Sequence, residues 1–267
     1  MRTRPLLAIL LRQFYLYRGS PPRVLSLFAW VAIDIVLWGF ITRYLNTVAS
    51  PGFNFVPALL GAVLLWDFFT RVMHGVTMAF FEDVWSRNFL NIFGSPISVA
   101  EYVTGLVLSS IASSAVGLLA MLILAGAVFR FDLFVYGVVA VPSLAVLFLF
   151  GIALGIMASA LVMRLGPSAE WFIWPIPALI SPFAGVFYPL DVLPQWMQLV
   201  ARCLPPAYVF ENLRRLVKGE AVSPAQLLLG TVLSIAYILV GCWIFTQTYR
   251  TVVRTGLIAR YSAESVG

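Results

Sequence analysis

The sequence predicts an all-α polytopic membrane protein with six transmembrane helices, an N-terminal interfacial helix and two short outer re-entrant helices. Sixty-one per cent of the 267 residues are hydrophobic and only 10% are charged, a composition that could not supply a water-facing surface. Several apolar stretches reach the roughly 20 residues that a helix needs to cross a hydrocarbon core about 30 Å thick. We therefore expect a single transmembrane domain over residues 1–267, with no soluble domain attached.

Residues 1–22 are predicted to form a helix that lies in the membrane interface. Arg4, Arg12 and Arg18 alternate with leucine, phenylalanine and tyrosine side chains at an approximately helical spacing. A cleaved signal peptide is the alternative, but Arg12 interrupts its apolar run and no small-residue cleavage site follows. Two consecutive prolines then end the helix before the first crossing.

Six membrane segments follow, separated by polar, charged or proline-rich stretches. They are residues 24–41, 56–81, 102–129, 133–163, 171–190 and 226–249. The fifth segment contains four prolines, too many for one regular helix. Six crossings return the chain to its starting side, where most of its arginines lie, so the positive-inside rule predicts cytoplasmic termini. We expect a multi-pass protein of the bacterial inner membrane.

Residues 191–220 are predicted to lie on the outer side as two re-entrant or interfacial helices. The amphipathic pieces 194–204 and 206–217 are too short to span, and a proline opens each of them. Three arginines of this region are of interest, Arg202, Arg214 and Arg215. They could bind an anionic headgroup or pyrophosphate, or they could anchor the helices near lipid phosphate.

Several classes of protein are excluded by what the sequence lacks. It contains no phosphate-binding loop, dinucleotide-binding glycine motif, zinc-protease motif or nucleophile elbow. The single histidine excludes a multi-histidine metal site, and Cys203 and Cys242 have no metal or disulfide spacing. The basic residues gather at the ends of apolar segments instead of forming one patch, so we expect no nucleic-acid partner. We predict no metal site and no cofactor bound by this chain.

Four ionisable residues fall inside the second half of the first crossing and the middle of the second. They are Asp34, Asp67, Arg71 and His74. Asp34 and Arg71 each lie about ten residues from the cytoplasmic boundary, or roughly 15 Å at 1.5 Å per residue. An unpaired charge at that depth costs at least about 2.5 to 3.5 kcal/mol, so these charges should face the protein interior.

The pairing of these charges is left open by the sequence. Asp34 could pair with Arg71, whereas Asp67, four residues before Arg71, is a competing partner on the same helix face. The charges would either lock the two helices together or line a permeation path. His74 is predicted to be a satisfied packing group instead of a proton relay.

Two stretches are more specific than composition. Residues 81–102 form a charged amphipathic segment that closes with Gly-Ser-Pro before an apolar run. Residues 181–215 contain Phe-Tyr-Pro-Leu, Leu-Pro-x-Trp and Leu-Pro-Pro-x-Tyr elements. In this order within a chain of six crossings, they resemble the permeases of the type-2 ATP-binding-cassette (ABC) exporter family, which includes polysaccharide, lipid, drug and nodulation-factor exporters. The resemblance covers essentially the whole chain.

The resemblance implies a dimer of permeases bound to two copies of a cytoplasmic ABC ATPase, which would bind ATP and Mg. Residues 82–101 would then be the coupling segment, with Glu82, Asp83, Trp85, Arg87 and Phe89 as its contacts. The outer re-entrant region would include Tyr188, Pro189, Trp196, Arg202, Tyr208, Arg214 and Arg215. Trp-Ser-Arg-Asn stands where drug-like members often carry a Glu-x-Gly-Thr run, which leaves the subfamily open.

The function implied is that of a permease subunit that exports an amphipathic or lipid-linked substrate, such as a polysaccharide, glycolipid or drug. ATP would be hydrolysed by a separate subunit. The alternatives are an ATPase-independent membrane channel or scaffold, and a membrane-embedded transferase. A phosphate-loop ATPase encoded beside this chain would argue against the channel or scaffold, and activity in purified membranes without ATP would support the transferase.

Overall fold

In the computed structural model, which describes residues 3–48, 56–86 and 89–257, the chain forms α-helices and no strand. The all-α prediction is thus confirmed. The helices are α1 Thr3–Arg18, α2 Pro21–Val48, α3 Gly61–Trp85, α4 Phe89–Gly94, α5 Val99–Phe129, α6 Ala140–Leu165, α7 Glu170–Ile173, α8 Ile176–Ala184, α9 Gln195–Arg202, α10 Pro205–Val217 and α11 Pro224–Arg254. A π-helical turn at Val56–Leu60 precedes α3, and 3-10 turns occupy Leu133–Val139, Pro167–Ala169 and Leu190–Val192.

Five helical segments in these ranges are long and apolar enough to cross a membrane. They are Phe28–Val48, Ala58–Trp85, Val99–Phe129, Leu133–Leu165 and Pro224–Arg254. The 31 residues of α5 would extend about 46 Å at 1.5 Å per residue. That exceeds a hydrocarbon core of about 30 Å, so the ends of α5 reach beyond it. The chain is therefore a polytopic membrane protein, as predicted.

The bundle has two ends, which we name by their helices. The α1 end holds α1, the last turn of α3 and the start of α5, which meet through Arg12, Asp83 and Tyr102. The α10 end holds α10 and the starts of α6 and α11. There, a Cβ on Gly230 would lie 3.4 Å from a Val146 side-chain atom and 3.5 Å from a backbone oxygen of α10.

The predicted crossing 171–190 is present as a broken segment and not as one helix. It consists of α7 and α8, interrupted near Pro175, where the proline ring removes a backbone donor. The Trp174 ring lies 4.6 Å from the ring of His74, midway along α3. Farther on, Phe187 stacks on Trp38 at 5.0 Å near the α10 end. The segment thus extends from the middle of the bundle to the α10 end, and its passage as a sixth crossing stays a prediction.

Both described ends of the chain lie at the α1 end. Ile9 of α1 packs on Gly105, near the start of α5. The Phe245 ring of α11 contacts the Phe80 ring, near the end of α3, at 6.1 Å. This agrees with an even number of passages through the bundle.

The core is built around α3, which packs against α5 on one side and α6 on the other. Glycines allow the close approach of α6: a Cβ on Gly155 would lie 2.8 Å from the backbone oxygen of Met73. On the opposite side, Ser110 Oγ donates a hydrogen bond to the Val72 carbonyl at 2.8 Å. Small residues at helix contacts, and hydroxyl groups bonded across them, are typical of helix packing inside a membrane.

The residues of the predicted coupling segment 82–101 are divided among three helices. The second crossing was predicted to end at residue 81, but α3 continues to Trp85 because a charged turn can extend a helix beyond its apolar part. The helix α5 begins with a capping box, in which the Ser98 side chain accepts from the Glu101 N–H and the Glu101 carboxylate accepts from the Ser98 N–H. Between them only α4, of six residues, is a separate helix.

Other boundaries also differ from the apolar runs. The helices that contain the first and last predicted crossings, Pro21–Val48 and Pro224–Arg254, are each longer than those crossings. The two short pieces of residues 191–220 are separate helices, α9 of eight residues and α10 of thirteen, both at the α10 end. The helix α1 packs along α5, and its position in a membrane interface stays a prediction.

Candidate functional site

The α1 end is organised around one buried carboxyl group, that of Asp83. Its side chain is 1% exposed and forms an ion pair with the Arg12 guanidinium of α1. The Tyr102 hydroxyl of α5 donates a hydrogen bond to its other oxygen at 2.6 Å. Because an unpaired carboxylate in this position would be costly, the Asp83 cluster, comprising Arg12, Asp83 and Tyr102, joins α1, α3 and α5.

This arrangement changes the role expected for Asp83. The sequence predicted that Asp83 contacts an ATPase, but its side chain is turned into the bundle and is fully engaged by Arg12 and Tyr102. Neither partner was identified from the sequence, since Arg12 lies 71 residues away along the chain.

Two of the other predicted coupling residues, Glu82 and Trp85, lie in the last turn of α3. Trp85 is 47% exposed, and its ring stacks on that of buried Phe81 at 5.2 Å. Glu82 is half-buried, and Phe89 is the first residue of α4. Arg87 lies outside the described residues. Trp85 is thus held by its neighbour in the helix while it presents an aromatic edge at the α1 end.

We expect Asp83→Asn to lower the melting temperature and to loosen α1, because the ion pair with Arg12 is lost while the side-chain shape is kept. A hydrogen bond to a charged group contributes about 1.5 to 3 kcal/mol, and the partial exposure of Arg12 places the loss near the lower value. Thermal unfolding in detergent and amide hydrogen exchange of α1 measure the two effects.

The matched control is Arg4→Gln, which removes an exposed arginine from the same helix. It should leave both measurements unchanged. Wild-type exchange of α1 in the Asp83→Asn protein would mean that this ion pair does not hold α1 in place.

A second group of charges lies inside the bundle, between α2 and α3. Arg71 Nε donates to Asp67 Oδ2 at 2.9 Å, and the two side chains are 14% and 19% exposed. Asp34 of α2 is half-buried and close enough to interact electrostatically with both. The Arg71 stem crosses α5 at Gly117, where a Cβ would lie 3.2 Å from Arg71 Cδ. The partner on the same helix face, Asp67, therefore forms an ion pair with Arg71.

His74 lies one turn beyond Arg71 and packs against Trp174, with ring centroids 4.6 Å apart. Its Nε2 is buried and has no hydrogen-bond partner among the residues that the structure describes. The predicted packing role thus has a clear contact, but the imidazole is not satisfied within the described part of the chain. Within the same ranges, no three His, Cys, Asp or Glu side chains come together as a metal site.

We expect Arg71→Asp to abolish stable assembly, because it would leave three carboxyl groups in one partly buried group. An unpaired charge at membrane depth costs at least about 2.5 to 3.5 kcal/mol. Adding Asp34→Arg should restore part of the folded yield, since the new cation would face the carboxyl groups at positions 67 and 71. The yield of monodisperse protein extracted from membranes measures the rescue.

The control for this experiment is Arg43→Asp, which reverses an exposed charge near the end of α2. It should be tolerated. A double variant no better than Arg71→Asp alone would show that Asp34 does not belong to this charge group.

At the α10 end, Arg214 clamps the linker that follows α8. Its guanidinium donates to Glu211 Oε1 at 2.6 Å and to the backbone carbonyls of Gly185 and Tyr188. Glu211 in turn accepts from the Leu190 N–H at 2.9 Å. Burial lowers the pKa of Arg214, and the neighbouring carboxylates, that of Glu211 foremost, oppose this shift. Arg214 therefore holds the protein together and does not project outward toward an anion.

The remaining residues predicted for the outer region are divided between α9, α10 and the linker before α9. The Tyr188 hydroxyl donates to the Pro182 carbonyl at 2.8 Å, and the Tyr208 hydroxyl to the Arg202 carbonyl at 2.6 Å. Burial raises the pKa of Tyr208. Trp196 and Arg202 are exposed, and Arg215 is half-buried.

A cavity of about 330 Å³ adjoins the clamp, and sequence reasoning missed it. Its walls are mainly apolar and come from five separate segments, which include Tyr136, Phe187 and Phe210. Pro189 also lines it, and Arg214 and Lys218 lie among its lining residues. The cavity could accept an apolar group.

The comparisons with known proteins agree with this architecture. The family model described as ABC-2 type transporter matches residues 5–217, well over half of the chain. The match includes the Asp83 cluster, the charges of α3 and the Arg214 clamp. A search of the curated proteins found no match.

Proposed function

Because the chain belongs to the ABC-2 type transporter family, we propose that it is the permease subunit of an ATP-driven exporter. Its substrate is amphipathic or lipid-linked, of the class of polysaccharides, glycolipids or drugs. ATP and Mg bind to a separate ABC ATPase, present in two copies, and a second permease copy completes the transporter. The family and the apolar helices make the chain a multi-pass transport subunit.

The observation that best supports coupling to an ATPase is the construction of the α1 end. Trp85 lies two residues beyond Asp83 on α3, the Asp83 cluster ties α3 to α5 and α1, and the short α4 lies between α3 and α5 along the chain. A force applied at α4 would therefore move α3 and α5 together, and α3 carries Asp67 and Arg71 deep in the bundle. Docking of an ATPase on residues 82–101 could therefore be transmitted along α3 to the interior of the bundle.

The orientation follows from the same end of the bundle. Arg4, Arg12 and Arg18 of α1 and Arg250 and Arg254 of α11 lie there, which favours a cytoplasmic α1 end by the positive-inside rule. The cations of the α10 end belong largely to α9 and α10, and Arg214 is neutralised by Glu211. We therefore place both termini in the cytoplasm of a bacterial inner membrane.

The wide apolar surfaces of α2, α5 and α11 support a lipid environment and a second copy. Only 22% of the most apolar window of each helix is buried within this chain. The exposed side chains include Trp30, Ile123 and Leu239. The backbone groups of these helices are bonded within each helix, so the apolar side chains can face either acyl chains or another helix.

We expect the purified permease to hydrolyse no ATP by itself, since its sequence has no phosphate-binding loop. Hydrolysis and substrate transport should appear only when a co-expressed ABC ATPase copurifies with it. Phosphate release from the permease and from the complex, in reconstituted vesicles, measures this. Hydrolysis by the isolated chain, or transport that needs no ATPase, would overturn the proposal.

We expect Trp85→Ala and, as a separate variant, Phe89→Ala each to reduce transport at least about tenfold. This is the factor for losing about 1.4 kcal/mol of docking free energy. Membrane insertion and melting temperature should be unchanged, because Trp85 contributes little to the core. Trp243→Ala, which removes an exposed tryptophan from α11, is the control. Loss of the protein from the membrane, in place of loss of transport, would assign Trp85 a purely structural role.

A further inference from the structure

A second cavity, of about 290 Å³, lies between α1, α2 and α5. Its exposed wall surface is almost entirely apolar. The lining residues are Leu10, Gln13, Phe14 and Tyr17 of α1, Phe28 of α2, and Ser109, Ala112, Ser113 and Val116 of α5. An apolar cavity of about 150 Å³ already holds a benzene molecule, so this one has room for a longer aliphatic group. It lies apart from the Arg214 cavity and shares no residue with the Asp83 cluster.

The mouth of this cavity lies on the surface that the helices present to the bilayer. Phe14 is 59% exposed, Val116 is 50% exposed and Phe28 is 37% exposed. Both α2 and α5 leave most of their apolar surface uncovered by the rest of the chain. An acyl chain could therefore enter from the lipid without opening the bundle.

One polar group in the wall is left unpaired by the protein. Gln13 is 9% exposed, and its Nε2 is buried without a hydrogen-bond partner among the described residues. A buried amide donor in this state is unfavourable, and the loss is recovered if a ligand supplies an acceptor. An aliphatic chain that ends in a carbonyl group suits the apolar walls of the cavity and supplies an acceptor for Gln13 Nε2.

The charge of α1 indicates what lies beyond that carbonyl. Between Thr3 and Arg18, the helix has three arginines and no acidic residue. Arg12 is engaged by Asp83, but Arg18 is exposed and directly follows Tyr17 of the cavity wall. An exposed cation that directly follows a wall residue in the sequence favours a phosphate group on that side of the cavity.

We propose that this cavity binds one acyl chain of an anionic glycerophospholipid of the bilayer, whose ester carbonyl accepts a hydrogen bond from Gln13 Nε2 while its phosphate lies near Arg18. The bound lipid fills the space between α1 and α5, and so it helps to hold α1 beside the Asp83 cluster. This site does not depend on the transport function, because it requires only that α1 packs on α5 in a membrane.

The test uses the full chain in detergent and phosphatidylglycerol as the probe. Native mass spectrometry should find one phosphatidylglycerol retained by the wild type, with retention reduced about fivefold in Gln13→Leu, as expected for one lost hydrogen bond. Ala112→Phe, which fills the cavity from an exposed position of α5, should abolish retention. Gln247→Leu, an exposed glutamine of α11, is the control and should retain the lipid.

Thermal unfolding provides a second measurement. Phosphatidylglycerol should raise the melting temperature of the wild type more than that of Gln13→Leu. Without lipid, Gln13→Leu should be at least as stable as the wild type, because the substitution removes an unpaired buried amide. If Gln13→Leu does not fold, Ala112→Phe still tests the site. Equal retention in the wild type and Ala112→Phe would overturn the proposal. Equal binding of phosphatidylethanolamine and phosphatidylglycerol would also overturn it. So would finding that the molecule retained by the wild type and lost in Ala112→Phe is not a phospholipid.

Discussion

The carboxyl group of Asp83 sets the geometry of the α1 end, because a buried acid needs ion-pair and hydrogen-bond partners in fixed positions. Its two oxygens are taken by different helices, one by Arg12 of α1 and the other by Tyr102 of α5. The acid itself lies two residues before Trp85 on α3. The helix that presents Trp85 is therefore fixed relative to its neighbours on both sides, and α4 is joined to a base that moves as one unit.

The central helix α3 connects that base to the interior of the bundle. It packs on α6 through glycines so closely that a Cβ on Gly151 would lie 2.9 Å from Val72 atoms. The opposite side bonds to Ser110 of α5. Such close packing has low compressibility, so it transmits a displacement instead of absorbing it. A displacement of α3 would thus carry the Asp67–Arg71 ion pair with it, past Asp34 of α2.

The features that could be predicted from the sequence are those recorded in local composition. Apolar runs predicted the long helices, and the prolines of residues 171–190 predicted that this crossing could not be one regular helix. The spacing of Asp67 and Arg71 predicted a possible ion pair on one helix face, which is present. The partners of Asp83 could not be predicted, since Arg12 is 71 residues away and no local pattern relates the two. The continuation of α3 to Trp85 could not be predicted for a similar reason, because the helix passes through charged residues that tertiary contacts stabilise.

The Arg214 clamp shows why a broken crossing needs support from elsewhere in the chain. Where a helix is interrupted inside a membrane, its freed carbonyl and N–H groups must find partners in the protein. After α8, Gly185 adopts a positive φ of 63°, and the chain continues without helical hydrogen bonds through Tyr188. Arg214 donates hydrogen bonds to the carbonyls of Gly185 and Tyr188, and Glu211 accepts one from the Leu190 N–H. One ion pair on α10 thus satisfies three backbone groups of the linker, which is why these two charges can be buried beside an apolar cavity.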